Sequence, residues 1–317
     1  MEPQIVPVPV GQPSFMGVQR CEDIRDLDAD IAVIAYPYTV PYSMEWTRQP
    51  SSYEPAAIRE QSQRLIWTTT HYDFDFGGDI FDGKPLRIVD CGDVLEKQGE
   101  YDFNSRMATE VIKKIRERGA LPIILGGDHA TTIPIMRGYE GSPSMCAVHL
   151  DAHLDWRDEV NGIHDGLSSN MRRAAELPWV DTMFQVGLRG PGSARQKEID
   201  DSGAFGSVRI RAEELRRLGV DEVLKRVPDA DCYYISFDTD VMDPAVAPGV
   251  NALAFGGLDY WEATNLLSGI AKKGKVVGFD IVEIAPANDH NGHTSLLAAR
   301  LILNLVGAMV RAGQFGV

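Results

Sequence analysis

Seven short apolar runs punctuate the chain: IAVIAY from Ile31, LRIVDCG from Leu86, LPIILGGDH from Leu121 and MCAVHLDAH from Met145, then TMFQVGLRG from Thr182, CYYISFDTD from Cys232 and KVVGFDIVEI from Lys275. They show little alternation between apolar and polar positions, the pattern of strands buried on both faces, as in a parallel sheet. Helical patterns lie between them at Phe103 to Arg118, Ser168 to Leu177, Asp221 to Val227, Asp259 to Ala271 and Ser295 to Arg311. Strands alternating with helices imply an α/β fold whose parallel sheet is covered by helices. No linker, repeat or low-complexity block divides the 317 residues. One domain over residues 1–317 is expected, with residues 1–30 as an N-terminal extension packed on it. The aromatic, proline-bearing stretch from Tyr36 to Tyr53 reads as an ordered loop near a site.

Composition narrows the partners. A net charge of −15 would repel phosphates, so no nucleic-acid partner is expected. A small cationic substrate suits such a chain, although an acidic solvated surface is the commoner cause. The four cysteines are scattered and form no CxxC pair, so they read as small core residues in a reducing compartment. No signal peptide and no uncharged apolar run of membrane-spanning length is visible, and a cytoplasmic protein without membrane contact is expected.

Acidic and imidazole side chains follow four of the apolar runs. Gly126-Gly127-Asp128-His129 follows LPIIL; Asp151-Ala152-His153-Leu154-Asp155 follows CAVHL. Asp238-Thr239-Asp240 follows YYISF, and Glu283 follows VVGFDIV. In a parallel sheet the carboxyl ends of the strands share one edge, where ligands bind. Asp151, His153 and Asp155 alternate, as do Asp238 and Asp240, so each set projects to one side if strand geometry persists. A single strand-end Asp usually caps the next helix, and a single His is usually structural. Several carboxylates gathered at one edge would repel one another and be pushed toward protonation unless paired, and four carboxylates with two imidazoles match a pair of divalent cations. Their oxygen-rich chemistry suits a pair of divalent ions and favours Mn²⁺ over Zn²⁺, while Ni²⁺ and Co²⁺ also accept such ligands.

The blocks GGDHA, DAHLD, SFDTDVMDPAVAPG and GFDIVEIAPANDH, with GQPSFMG and EPAAIRE near the N-terminus, resemble the ureohydrolase (arginase/agmatinase) family, nearest its agmatinase- and guanidinobutyrase-like amidinohydrolases. The resemblance implies a three-layer α/β/α sandwich with a mostly parallel eight-stranded sheet and two divalent metal ions per subunit. It implies that His129, Asp151, Asp155 and Asp238 hold one metal, and that Asp151, His153, Asp238 and Asp240 hold the other. Asp151 and Asp238 would bridge. Two such ions lower the pKa of a shared water enough for it to attack the central carbon of a guanidinium. Asp155 would then move the proton to the leaving amine, and Glu283 would bind the guanidinium. The resemblance further implies urea and an amine as products and a homo-oligomer, trimer or hexamer.

Three stretches depart from the family pattern. Where relatives carry His-Gly after DAHxD, this chain has His164-Asp165-Gly166, so His164 is the expected proton carrier and Asp165 its competitor. Where relatives read TGTP, it has Val250-Asn251-Ala252-Leu253, which makes Asn251 a candidate substrate contact. Aromatics replace a glycine-rich stretch in PYTVPYSMEWTRQPSSYEP, which points to a small or alkylated guanidine. The same departures leave open a different class, a non-catalytic or auxiliary subunit supporting a paralogous active chain.

Overall fold

A computed structural model of the chain describes residues 1–40, 42 and 51–316. Ten strands form one sheet among these residues. In chain order they are β1 (Ile5–Val6), β2 (Gln19–Arg20), β3 (Ile31–Ala35), β4 (Ile88–Val94) and β5 (Leu121–Leu125). The remainder are β6 (Met145–Leu150), β7 (Val180–Leu188), β8 (Val208–Arg211), β9 (Cys232–Asp238) and β10 (Val276–Val282). The helices begin with α1 (Glu54–Ser62), α2 (Tyr101–Glu117), α3 (Thr132–Arg137), α4 (Asn170–Ala175) and α5 (Gln196–Phe205). They continue with α6 (Ala212–Leu218), α7 (Val220–Leu224), α8 (Tyr260–Lys273) and α9 (His293–Arg311).

The sheet runs β1-β4-β3-β5-β10-β9-β6-β7-β8, with β2 also on β4. Only the β1–β4 pair is antiparallel; β3 to β10 are joined by parallel ladders throughout. The expected parallel sheet is therefore present. The two-residue strands β1 and β2 belong to the N-terminal segment and extend it through β4.

Side-chain alternation explains the layers. Ile31, Val33 and Ala35 of β3 enter one apolar cluster, while Ala32 and Ile34 enter the other. The first cluster also takes Ile58 of α1, Leu215 of α6, Leu266 and Leu267 of α8, and Leu301 and Leu305 of α9. The second takes Met107 and Ile112 of α2, Ile135 of α3 and Met171 of α4. Helices thus cover both faces, and each fully buried Leu or Ile contributes roughly 1.5–3 kcal/mol. Helix α9 is long and apolar enough to cross a membrane, but it packs inside this core. Its start is set by Asp289, whose two oxygens accept the Thr294 and Ser295 N–H groups at 2.7 and 2.9 Å.

The sequence missed the two-residue strands β1 and β2, helix α3, strand β8 and helices α5 and α6. Strand β8 reads VRIR, with Ile210 its buried residue, and α5 opens on the polar sequence QKEIDD. The alternation of β8 spans only four residues, the shortest run that signals a strand, and α5 opens without an apolar stripe. Helix α2 begins two residues before the expected Phe103, where Asn104 folds back to hold both the N–H and the carbonyl of Lys97.

Strands β5, β10, β9 and β6 are neighbours at the centre of the sheet. These are the four strands whose ends carry the acidic and imidazole residues. Strands β5 and β6 follow each other in the chain, yet β10 and β9 are inserted between them, so connections diverge there and leave a crevice at the carboxyl edge.

Candidate metal centre

Each of the four strand ends turns its side chains inward by a local device. Asp238 ends β9 and caps the following turn, its Oδ1 accepting the Asp240 N–H at 2.8 Å. Asp128 caps the next turn over in the same way, accepting the Ala130 N–H at 3.0 Å. Asp155 and Glu283 both have left-handed backbones, with φ of +51° and +70°. Non-glycine residues hold that conformation at a cost of roughly 1–3 kcal/mol, and such strain concentrates at functional sites. Asn170 secures Asp155 by donating from Nδ2 to Oδ2 at 2.6 Å. Glu283 is anchored twice: its N–H donates to the Gly127 carbonyl at 2.9 Å, and its Oε1 accepts the His129 N–H at 2.8 Å. Gly127 leaves no room for a side chain, because a Cβ there would lie 2.1 Å from the Tyr38 carbonyl oxygen.

These turns converge. His129 Nδ1 lies 3.0 Å from Asp238 Oδ2, 3.2 Å from Asp151 Oδ2 and 3.3 Å from Asp155 Oδ2. On the other side of Asp151, His153 Nδ1 lies 3.0 Å from Asp240 Oδ2 and 3.4 Å from Asp151 Oδ1. Asp151 therefore belongs to two groups, one with His129, His149 and Asp155 and one with His153 and Asp240. That is the geometry expected of a bridging carboxylate. The six residues read as metal ligands lie together.

Hydrogen bonding fixes what His129 offers. Its Nε2 is 2.9 Å from Ser236 Oγ, and that hydroxyl donates to Asp280 Oδ1 at 2.7 Å. With the serine proton committed to Asp280, the imidazole proton sits on Nε2. In the neutral ring Nδ1 is left with a lone pair facing three carboxylates, an arrangement that calls for a proton or a metal cation between them. The residues fit a cation.

Protonation tells the same story for the metal-free cluster. Burial opposes charge on His129, but Asp151, Asp155 and Asp238 outweigh it and raise its pKa well above the usual range. Burial, then Asp240 and Asp151, raises Asp238 well above the usual carboxylate range. Burial opposes the opposite shift of Asp151, which His149, His129 and His153 pull well down. Protons are distributed unevenly among crowded carboxylates, and divalent ions would take their place.

His149 was not singled out from the sequence. It is fully buried on β6, two residues before Asp151, and its Nε2 lies 2.8 Å from Asp151 Oδ2. Gln185 on β7 settles its tautomer. The Leu154 carbonyl can only accept, so the Gln185 amide nitrogen faces it at 2.9 Å, and the same group lies 3.0 Å from His149 Nδ1. Ser207 Oγ donates to the amide oxygen at 2.9 Å. Nδ1 thus accepts and the ring proton of the neutral imidazole sits on Nε2, which stands beside Asp151 Oδ2 in the same candidate ligand group, neither atom having a hydrogen-bond partner among the described residues. A histidine two places before Asp151 in an apolar run, on the same strand face, was the available signal.

The other candidates lie apart. His164 is exposed, with Nδ1 3.2 Å from the Asp158 carbonyl oxygen. Asp165 accepts the Tyr101 hydroxyl at 2.6 Å and pairs with Arg137 at 2.8 Å. Asn251 is exposed in the bend after Val250. Of the aromatic loop, Val40 donates its N–H to Asp128 Oδ2 at 2.5 Å, and the Tyr42 hydroxyl accepts the Ser168 N–H at 2.8 Å. The described ends of that loop do border the site; residues 41 and 43–50 lie outside the described residues.

Comparison with known proteins agrees with this geometry. The arginase family model matches residues 29–307. An agmatinase of Blochmanniella floridana is 31% identical over 293 residues, covering 87% of this chain and 91% of that one. An agmatinase of Salmonella enteritidis is 31% identical over 287 residues, covering 89% and 88%. Among solved structures, proclavaminate amidino hydrolase from Streptomyces clavuligerus superposes with a TM-score of 0.81 at 30% identity, covering 95% and 97% of the two chains. Agmatine ureohydrolase of Thermoplasma volcanium gives 0.74 at 26% identity, covering 91% and 92%. Family enzymes hydrolyse C–N bonds of amidines at a binuclear divalent metal site, and this chain has a buried His/Asp cluster that could hold one at the carboxyl edge of its sheet. With sequence, fold and cluster in agreement, this chain belongs to the arginase family of ureohydrolases.

Proposed function

We propose that the protein hydrolyses a guanidino compound to urea and an amine, with Mn²⁺ as the favoured metal and Ni²⁺ or Co²⁺ as alternatives. The observation that carries this reading is the meeting of six ligand side chains with Glu283 at one sheet edge. His129, Asp151, Asp155 and Asp238 would hold one ion, and Asp151, His153, Asp238 and Asp240 the other. When bound, the ions supply Lewis acidity and lower the pKa of water. Glu283 binds the planar cation through charge-assisted hydrogen bonds. Asp155, steadied by Asn170, takes the proton from water and passes it to the leaving amine. His164 carries protons between the site and solvent, and Asn251 contacts the substrate from the bend after Val250.

The named relatives make agmatine the first compound to test. A small or alkylated guanidine is supported by the aromatic bulk of the loop, where a Cβ on Gly166 would lie 2.3 Å from the Tyr42 ring. We read the chain as one catalytic domain on the strength of its continuous sheet. The exposed Phe74, Phe255 and Trp261 support a homo-oligomer, trimer or hexamer. Four buried free cysteines are in keeping with the cytoplasm.

The test is urea release from metal-loaded protein with agmatine, 4-guanidinobutyrate, 3-guanidinopropionate, arginine, guanidine and methylguanidine. Turnover of at least one is expected. No urea from any of them, with metal bound, would contradict the proposal and favour the auxiliary-subunit reading, which the departure at His164-Asp165 motivates.

A further inference from the structure

One buried acid near the centre has no place in the chemistry above. Glu54 is the first residue of α1, follows directly on the aromatic loop, and is fully buried with 0% exposure. Its Oε2 accepts the Ile284 N–H at 2.9 Å, across 230 positions of sequence. Its Oε1 is buried without a hydrogen-bond partner among the described residues. An acid in such a place is costly unless the contact it makes is needed.

The contact it makes is to the peptide that follows Glu283. Beyond β10 the chain leaves the regular ladder: Val250 and Ile284 form an isolated antiparallel bridge, and Ala285 donates to the Gly249 carbonyl at 2.8 Å. The Ile284 N–H falls between the Glu283 and Ala285 donors and points at Glu54 instead of a strand. Glu283 itself has a φ of +70°, a conformation that costs a non-glycine residue energy and persists only when its neighbours hold it. Gly127 holds its N–H and His129 its carboxylate on one side. Glu54 holds the peptide on the other.

We infer that Glu54 is a positioning residue that locks the left-handed turn at Glu283 and so aims the Glu283 carboxylate at the guanidino group of the substrate. This rests on the proposed guanidino-hydrolase reading and adds a residue to it. Burial, with Glu283, Asp238 and Asp280 adding to it, raises the Glu54 carboxyl well above its usual range against the Ile284 N–H. A neutral carboxyl suffices for the role, because only an acceptor for the Ile284 N–H is required. Glutamine keeps that acceptor and alanine removes it.

The experiment compares wild type, Glu54→Ala and Glu54→Gln on the compound of the urea panel that wild type hydrolyses fastest. It also measures metal content and the thermal midpoint of each protein. Glu54→Ala is expected to raise KM about tenfold or more while retaining both metals, and Glu54→Gln to restore KM to within about threefold of wild type. An unchanged KM in Glu54→Ala, with or without a lower midpoint, would overturn the inference by reducing Glu54 to a structural residue. Equal damage from Gln and Ala would overturn it by showing that charge is needed. Loss of metal in Glu54→Ala would place the effect on the cluster and also overturn it. Wild-type protein inactive on the whole panel refutes the functional reading itself and removes the ground for a role at Glu283, an outcome distinct from a KM effect among variants of an active enzyme.

Discussion

Asp238 spends its two oxygens on different tasks, Oδ1 capping the turn at Asp240 and Oδ2 facing His129. The two readings available from sequence, a helix cap and a metal ligand, are both met by one carboxylate. Asp238→Asn keeps the shape and one acceptor but removes the charge that would neutralise two cations. Its metal content is expected to fall below two ions per chain by elemental analysis, with urea release reduced more than about 100-fold, beyond the loss usual for residues behind the ligands. Normal metal content would refute the bridging assignment. At the loop, Asp165 is committed to Tyr101 and Arg137. Burial works against its charge, but those two partners outweigh it and hold its pKa below the usual value, so it is a poor proton donor. His164→Ala is therefore expected to slow turnover at saturating substrate with both metals retained. Asp165→Ala should instead lower the thermal midpoint by freeing Arg137. A silent His164→Ala would send the proton path elsewhere.

Between elements, burial of charge has its own consequence at Glu96, just past the end of β4. Its Oε1 is buried without a partner, and burial, then Asp93, pushes its pKa up to about 7. The folded value lies above the unfolded one, so the folded chain keeps this proton longer. Native stability from Glu96 is then lost as pH rises from about 4.5 to about 7, and the loss is complete above that. Glu96→Gln should raise stability at pH 8 by about 1–2 kcal/mol after allowance for partial exposure, and change it little at pH 4. A denaturation series at both pH values checks the sign; a gain at pH 4 alone would be the wrong one. The elements legible in sequence were those with strong apolar patterning. Strand β3 and helix α9 qualify, whereas the Arg-alternating β8 does not. Short capped helices such as α5 take their stability from packing and caps, which a single sequence shows weakly.

At the scale of the whole molecule, the sheet order is what makes a site from dispersed motifs. His129 follows β5 and Glu283 follows β10, far apart in the chain, yet these strands are neighbours in the sheet and the two residues share a hydrogen bond. The ligand types were readable because carboxylates and imidazoles after apolar runs are expensive and demand a reason. Glu54, Gln185 and Ser236 were not, because each acts across 36 to 230 positions of sequence through a contact that only the fold creates. The assembled cluster could hold two divalent ions, one on each side of Asp151. Anomalous diffraction from crystals of Mn²⁺-loaded protein measures this directly. Two peaks per chain are expected, one among His129, Asp151, Asp155 and Asp238 and one among Asp151, His153, Asp238 and Asp240, with Asp151 and Asp238 touching both. A single peak, or two that share neither carboxylate, would contradict a binuclear hydrolytic centre.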